Sequence, residues 1–183
     1  MKRVRLQFEN IQQVMGSEEL AVILLTDEKR QRALSVICDE PMTRQILLRL
    51  QHPRSCGNML PEALLKMIPA KMEMMIYGIH DGQYQVVLAD EQFETNARIR
   101  MSDAVLLSII SDVPFYIESE LFGRQSIEFD QHASGVAIPI NTMDVPRLNM
   151  ALQRAVEEEN YELASQLRDE INRRSHRSPG SSN

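Results

Sequence analysis

The chain has 183 residues, 43 % of them hydrophobic and 25 % charged, as in a globular protein with a real core rather than a disordered chain. Its formal net charge of −6 counts against a protein that coats nucleic acid through a dense basic surface. It does not count against a nuclease, because sites that take metal ions are themselves acidic.

At the N-terminus Val4, Leu6 and Phe8 recur with period two, so residues 3–9 read as a half-buried strand. No apolar stretch of signal-peptide type precedes it. Leu20 to Thr26 is an apolar run of strand length, and Asp27 to Arg30 forms a charged turn. Ala33 to Cys38 is a second strand, so 20–38 reads as a hairpin. The longest apolar run, Ala21 to Leu25, is far too short to span a membrane. Cys38 and Cys56 lack C-x-x-C spacing, which counts against a zinc site. Reduced thiols and the absence of a targeting segment lead to an expected cytoplasmic location.

Asp39-Glu40-Pro41 is a helix start, with an acid near the N-cap and proline in the first turn; Met42, Ile46, Leu47 and Leu50 then share one face. His52-Pro53 ends that helix, and a second is expected over Leu60 to Ile68. Residues 71–79 and 83–89 form the clearest hairpin, because Asp81-Gly82 supplies the positive φ angles of a type I′ turn. Alternation from Phe93 to Met101 predicts one more strand. It runs into an apolar helix starting near Ser102, a natural N-cap, with Asp103 at the positive end of the helix dipole. Pro114 stops this helix. Residues 115–117 read as a short strand and Glu118 to Phe122 as a helical turn.

Residues 124–145 show no sustained period and read as linker. Leu148, Leu152, Ala155 and Val156 form an apolar stripe on one helix, and Leu163, Ala164, Leu167 and Ile171 form one on a second. Glu158-Glu159-Asn160 connects the two. Neither short helix is stable alone in water, so the pair should zip together and seek a further surface. Residues 175–183 read as a disordered tail. The fold class expected is α+β: a mixed or antiparallel sheet with two to three packed helices, plus a C-terminal helical hairpin. The domain bounds are 1–123, 124–145 (linker), 146–174 (hairpin) and 175–183 (tail).

Candidate chemistry centres on Arg100, Ser102 and Asp103. Phosphodiester hydrolysis is helped by a metal that activates water, held by converging carboxylates, and an arginine fork grips phosphate bidentately. Asp103 offers one carboxylate, Arg100 the fork and Ser102 a hydroxyl; Asp39, Glu40, Asp90 and Glu94 are possible further acids. The alternative is purely structural: Ser-Asp is what capping selects, and Arg100 fastens the junction by pairing with Asp103. His52 and His80 read as surface residues, and His132 and His176 fall in the expected linker and tail. No Gly-rich phosphate loop, H-E-x-x-H or G-x-S-x-G occurs.

Two resemblances add to this. Leu152 to Ile171, with Ala155-Val156, the acidic run Glu157-Glu158-Glu159, Tyr161-Glu162 and Ala164-x-x-Leu167-Arg168-Asp169-x-Ile171, resembles the UVR motif of the UvrB and UvrC excision-repair proteins. That resemblance implies protein–protein contact, through Tyr161, Leu163, Leu167, Arg168 and Asp169, rather than catalysis. The second spans most of residues 1–123. Leu34 to Leu50, the Asp81-Gly82 hairpin with Tyr84, and above all Arg100-Met101-Ser102-Asp103-Ala104 followed by Val113-Pro114-Phe115-Tyr116-Ile117 resemble the bifunctional nuclease family of bacteria and plants. It implies DNase or RNase activity with Arg100, Ser102 and Asp103 as site residues and Mg²⁺ or Mn²⁺ on Asp103. The family's Thr-His-Asp triplet is missing: Arg54-Ser55-Cys56-Gly57-Asn58-Met59-Leu60 stands there instead. The competing function is a non-catalytic adaptor in DNA repair or stress response. Exposed strand edges and the helical appendage further suggest a homodimer.

Overall fold

Why the sheet forms where it does is plain from one of its inner strands. The computed structural model describes residues 2–13, 20–67, 71–130 and 140–175. Strand β2 (Leu20–Asp27) is buried residue after residue from Ala21 to Thr26, so both of its faces are covered. It pairs antiparallel with β1 (Arg3–Gln13) and with β3 (Arg32–Asp39). The β1–β2 register shifts between Phe8 and Asn10, a bulge that the plain alternation of β1 does not announce.

The remaining strands are β4 (Met72–His80), β5 (Gln83–Asp90), β6 (Asn96–Ile99), β7 (Phe115–Glu118) and β8 (Ile127–Glu128). All eight form one sheet in the order β6-β5-β4-β7-β1-β2-β3-β8. β4 and β7 run parallel, with Met74 opposite Phe115 and Ile76 opposite Ile117, so the sheet is mixed. Four helices accompany it: α1 (Glu40–Gln51), α2 (Leu60–Met67), α3 (Met101–Ile110) and α4 (Ser119–Gln125). Asp39 caps α1 by accepting from Met42 N at 3.0 Å. The fold is α+β, and two further helices, α5 (Val145–Glu157) and α6 (Tyr161–Ser175), form the C-terminal pair. The expected tail lies beyond Ser175, outside the described residues, as do His132 and His176. No helix among the described residues is long and apolar enough to cross a membrane.

Three expectations change in detail. The strand expected from Phe93 shrinks to Asn96–Ile99 because the Asp90 carboxylate accepts from Glu94 N at 3.0 Å and Thr95 N at 2.8 Å, closing a turn over 91–95. Helix α3 starts at Met101 with Arg100 at its N-cap and no side-chain cap bond, so Ser102 lies inside the first turn. Within 124–145, residues Ile127 and Glu128 add a short eighth strand on β3. Arg32 fastens it, donating from Nε to Ser126 Oγ at 2.7 Å and from Nη2 to the Ser126 carbonyl.

The chain divides into two units, Met1–Gly78 with Tyr84–Ala137 and Ile79–Gln83 with Ile138–Asn183. The first holds the main core, with Ile23, Leu25, Leu34, Ile46, Met74, Ile76, Phe115 and Ile117 fully enclosed.

Candidate functional site

Helix α3 carries the first candidate at its head. Backbone at Arg100 is extended (φ −70°, ψ 151°), which turns the chain from β6 into the helix. Three residues on, Asp103 returns over the same turn, so their side chains meet. Arg100 Nε donates to Asp103 Oδ2 at 2.8 Å and Nη2 to Oδ1 at 3.0 Å, a bidentate pair. The Arg100 side chain is 72 % exposed and that of Asp103 35 %, so the corner opens to solvent. Its hydrogen bonds to Asp103, then the Asp103 charge, then the charge of Asp39, push the Arg100 guanidinium above its ordinary value. An exposed pair of this kind stabilises by only ~0–1 kcal/mol.

Of the further acids, Asp39 is the one whose charge reaches this corner. Glu40 pairs with Arg44, Asp90 closes its own turn, and Glu94 is exposed. Among the described residues no three His, Cys, Asp or Glu side chains gather as a metal set, and both Asp103 oxygens are taken by Arg100. The residues present therefore make no preformed cage for Mg²⁺ or Mn²⁺. The Ser102 hydroxyl is one further hydrogen-bond group in the same turn. His52 and His80 are exposed, and both cysteines are free and buried. Burial pushes the Cys38 thiol up, a bond with Thr43 acts against this, and the neighbouring Asp39 charge adds to it.

The second candidate is the helical pair. Asp144 caps α5, accepting from Arg147 N at 2.9 Å, with Pro146 in the first turn. Glu159 in the connector adopts φ 56°, and Asn160 N donates to the Ala155 carbonyl at 2.8 Å, ending α5 in a left-handed reversal. Asn160 Oδ1 accepts from Leu163 N at 3.2 Å and opens α6. Leu148, Ala155, Ala164 and Leu167 form a small core, with Ala151, Leu152, Leu163 and Ile171 packed against it. Leu167 thus closes the hairpin's own interior, and Leu163 is half-buried beside it. Tyr161, Arg168 and Asp169 face solvent. Val156, placed by its spacing on the inner stripe, is 51 % exposed, and Met150 is 70 % exposed.

This is a two-helix hairpin whose core is too small to use up its apolar side chains. Residues 146–173 match the family model of the UvrB/uvrC motif, UVR. No curated protein matches the chain.

Sequence reading missed one feature of the α+β domain: a groove gathered from β1, α2, β4, β7 and two turns, whose residues lie too far apart along the chain to form a motif. Its one local signal is Phe93, an aromatic side chain between the polar residues Gln92 and Glu94.

Proposed function

We propose that this is a two-part cytoplasmic protein: its C-terminal hairpin docks on a protein partner, and its α+β domain cleaves phosphodiester bonds in DNA or RNA. The docking half has the stronger support. The observation that carries it is the UVR match over 146–173, on a hairpin that leaves Met150, Val156, Tyr161, Arg168 and Asp169 exposed. Exposed apolar and aromatic side chains are what a partner helix or a second copy of the chain would cover. Deleting residues 146–183 should abolish capture of the partner, and Tyr161→Ala with Arg168→Glu should weaken it in the full chain. Pull-down profiles that stay the same would end this half.

The catalytic half rests on the Arg100-x-Ser102-Asp103-Ala104 resemblance and on the open corner formed by Arg100 and Asp103. Purified protein is expected to cut single-stranded, duplex or RNA substrate, assayed with and without Mg²⁺ or Mn²⁺. Asp103→Ala should lower the rate by about 10²-fold or more, as loss of a group acting on the nucleophile does. If wild type leaves all three substrates intact, the adaptor reading is what remains. Self-association as a homodimer belongs to the same proposal, and light scattering measures it.

A further inference from the structure

The groove in the α+β domain is far from the Arg100 corner along α3: one lies at the helix head, the other at its C-terminal end, where Ser111 to Pro114 contribute. Its volume is about 710 Å³, the size of a small-ligand site. Arg3 and Tyr116 form its deck. The Arg3 guanidinium lies 4.0 Å from the centroid of the Tyr116 ring and is held from the side by Glu73, Nη1 donating to Oε1 at 2.7 Å and to Oε2 at 2.9 Å. Glu73 is 9 % exposed while Arg3 remains 42 % exposed, so a fixed planar cation faces the open space.

Phe93 stands on the same groove with 46 % of its surface exposed. Its backbone sits at φ 58°, a left-handed conformation that bulky side chains avoid, held there by the Asp90 turn. Strain retained to display an aromatic ring to solvent is the kind of outlier that marks a binding surface. Asp112 supplies the polar group. Among the described residues its exposed carboxylate has no hydrogen bond and no ion pair, and it follows the negative end of α3. That end repels phosphate and favours a ligand with N–H donors. The other charges on the groove are paired, Arg3 with Glu73 and Lys71 with Glu91 at 3.9 Å, so Asp112 is the charge left to a ligand.

We propose that this groove receives a guanine base from a single strand, stacked on Phe93 and on the Arg3–Tyr116 deck and bonded to Asp112. Guanine is a neutral, planar ring with two adjacent donors, N1–H and N2–H, which match the two oxygens of one carboxylate. Adenine and cytosine set a ring acceptor beside their amino donor, and uracil flanks one donor with two carbonyls, so each would turn an acceptor toward Asp112. Unstacked bases are held elsewhere in this way, on aromatic and guanidinium planes with their edges bonded. The inference deepens the nucleic-acid reading above and rests on it for the source of the base, but binding requires no cleavage.

The test is an NMR titration of the full chain with guanosine, guanosine monophosphate, adenosine, cytidine and spermidine. Guanosine and its monophosphate should bind alike, about tenfold more tightly than adenosine or cytidine. Phe93→Ala should weaken guanosine about tenfold with the melting temperature unchanged, since the ring is half exposed. Asp112→Asn should erase the preference for guanosine over adenosine. No guanosine binding at millimolar concentration, equal binding in both variants, or tighter binding of spermidine would overturn the proposal. A chain that binds guanosine but cuts nothing keeps this site and loses the nuclease; one that cuts but ignores guanosine loses this site alone.

Discussion

Arg49 is 4 % exposed, an unusual place for a full positive charge. It survives there because Glu62 of α2 meets its fork at 2.6 and 3.1 Å and Gln45 takes a third bond at 2.9 Å, tying α2 to α1. Removing one partner leaves the other charge buried alone. Glu62→Ala is therefore expected to cost about 3–5 kcal/mol in urea unfolding, whereas Arg49→Met with Glu62→Leu should be near neutral. Asp90 gives a pH dependence with a definite sign. Slight desolvation pushes its carboxyl up, but the N–H donors of Thr95 and Glu94 outweigh this and hold it below its ordinary value. With the folded value below the unfolded one, the turn's stabilisation is complete above the ordinary aspartate range. It is lost as pH falls through the lowered value. The Thr95 amide signal should titrate with a midpoint below that of a free aspartate, and Asp90→Asn should flatten the curve.

At the level of elements, capping and turn chemistry decide more than period does. Asp144 both accepts from Arg147 N and pairs with the Arg147 side chain at 3.1 Å. Asp144→Ala should cost ~1 kcal/mol, read as loss of helical signal from the C-terminal pair before the sheet melts. The same chemistry explains what was legible in the sequence. Asp39 with Pro41 announced α1, and Asp81-Gly82 announced the β4–β5 turn, where Asp81 (φ 48°) and Gly82 (φ 79°) adopt the angles the turn needs. Ser102 misled because Ser-Asp signals a helix start without saying which residue is the cap; the chain had already turned at Arg100. The alternation from Phe93 misled because a side chain, Asp90, captured the backbone that a longer β6 would have used. Strand β8, two residues long, is too short to show any period. The pairing of Arg100 with Asp103 was readable from their spacing, whereas the groove was not, since sheet order brings Arg3, Glu73 and Tyr116 together and no local pattern encodes that order.

Across the whole molecule, a net charge of −6 limits how nucleic acid can be held. A protein that grips a strand mainly through its backbone releases one counterion for nearly every phosphate it neutralises, and its affinity collapses as salt rises. In the proposed reading the grip on phosphate would come from Arg100, already shared with Asp103, and the groove would take a base rather than a phosphate. Binding of a short guanine-containing single strand should therefore show a log–log salt slope of about −1, not the steep value of a coating protein. Arg100→Gln should bring the slope toward zero while leaving guanosine binding unchanged. Asp112→Asn should do the reverse, leaving the slope and removing base preference. A slope several times steeper, measured by fluorescence anisotropy over a salt series, would mean that a basic surface outside these two sites carries the strand and that neither has the role assigned to it.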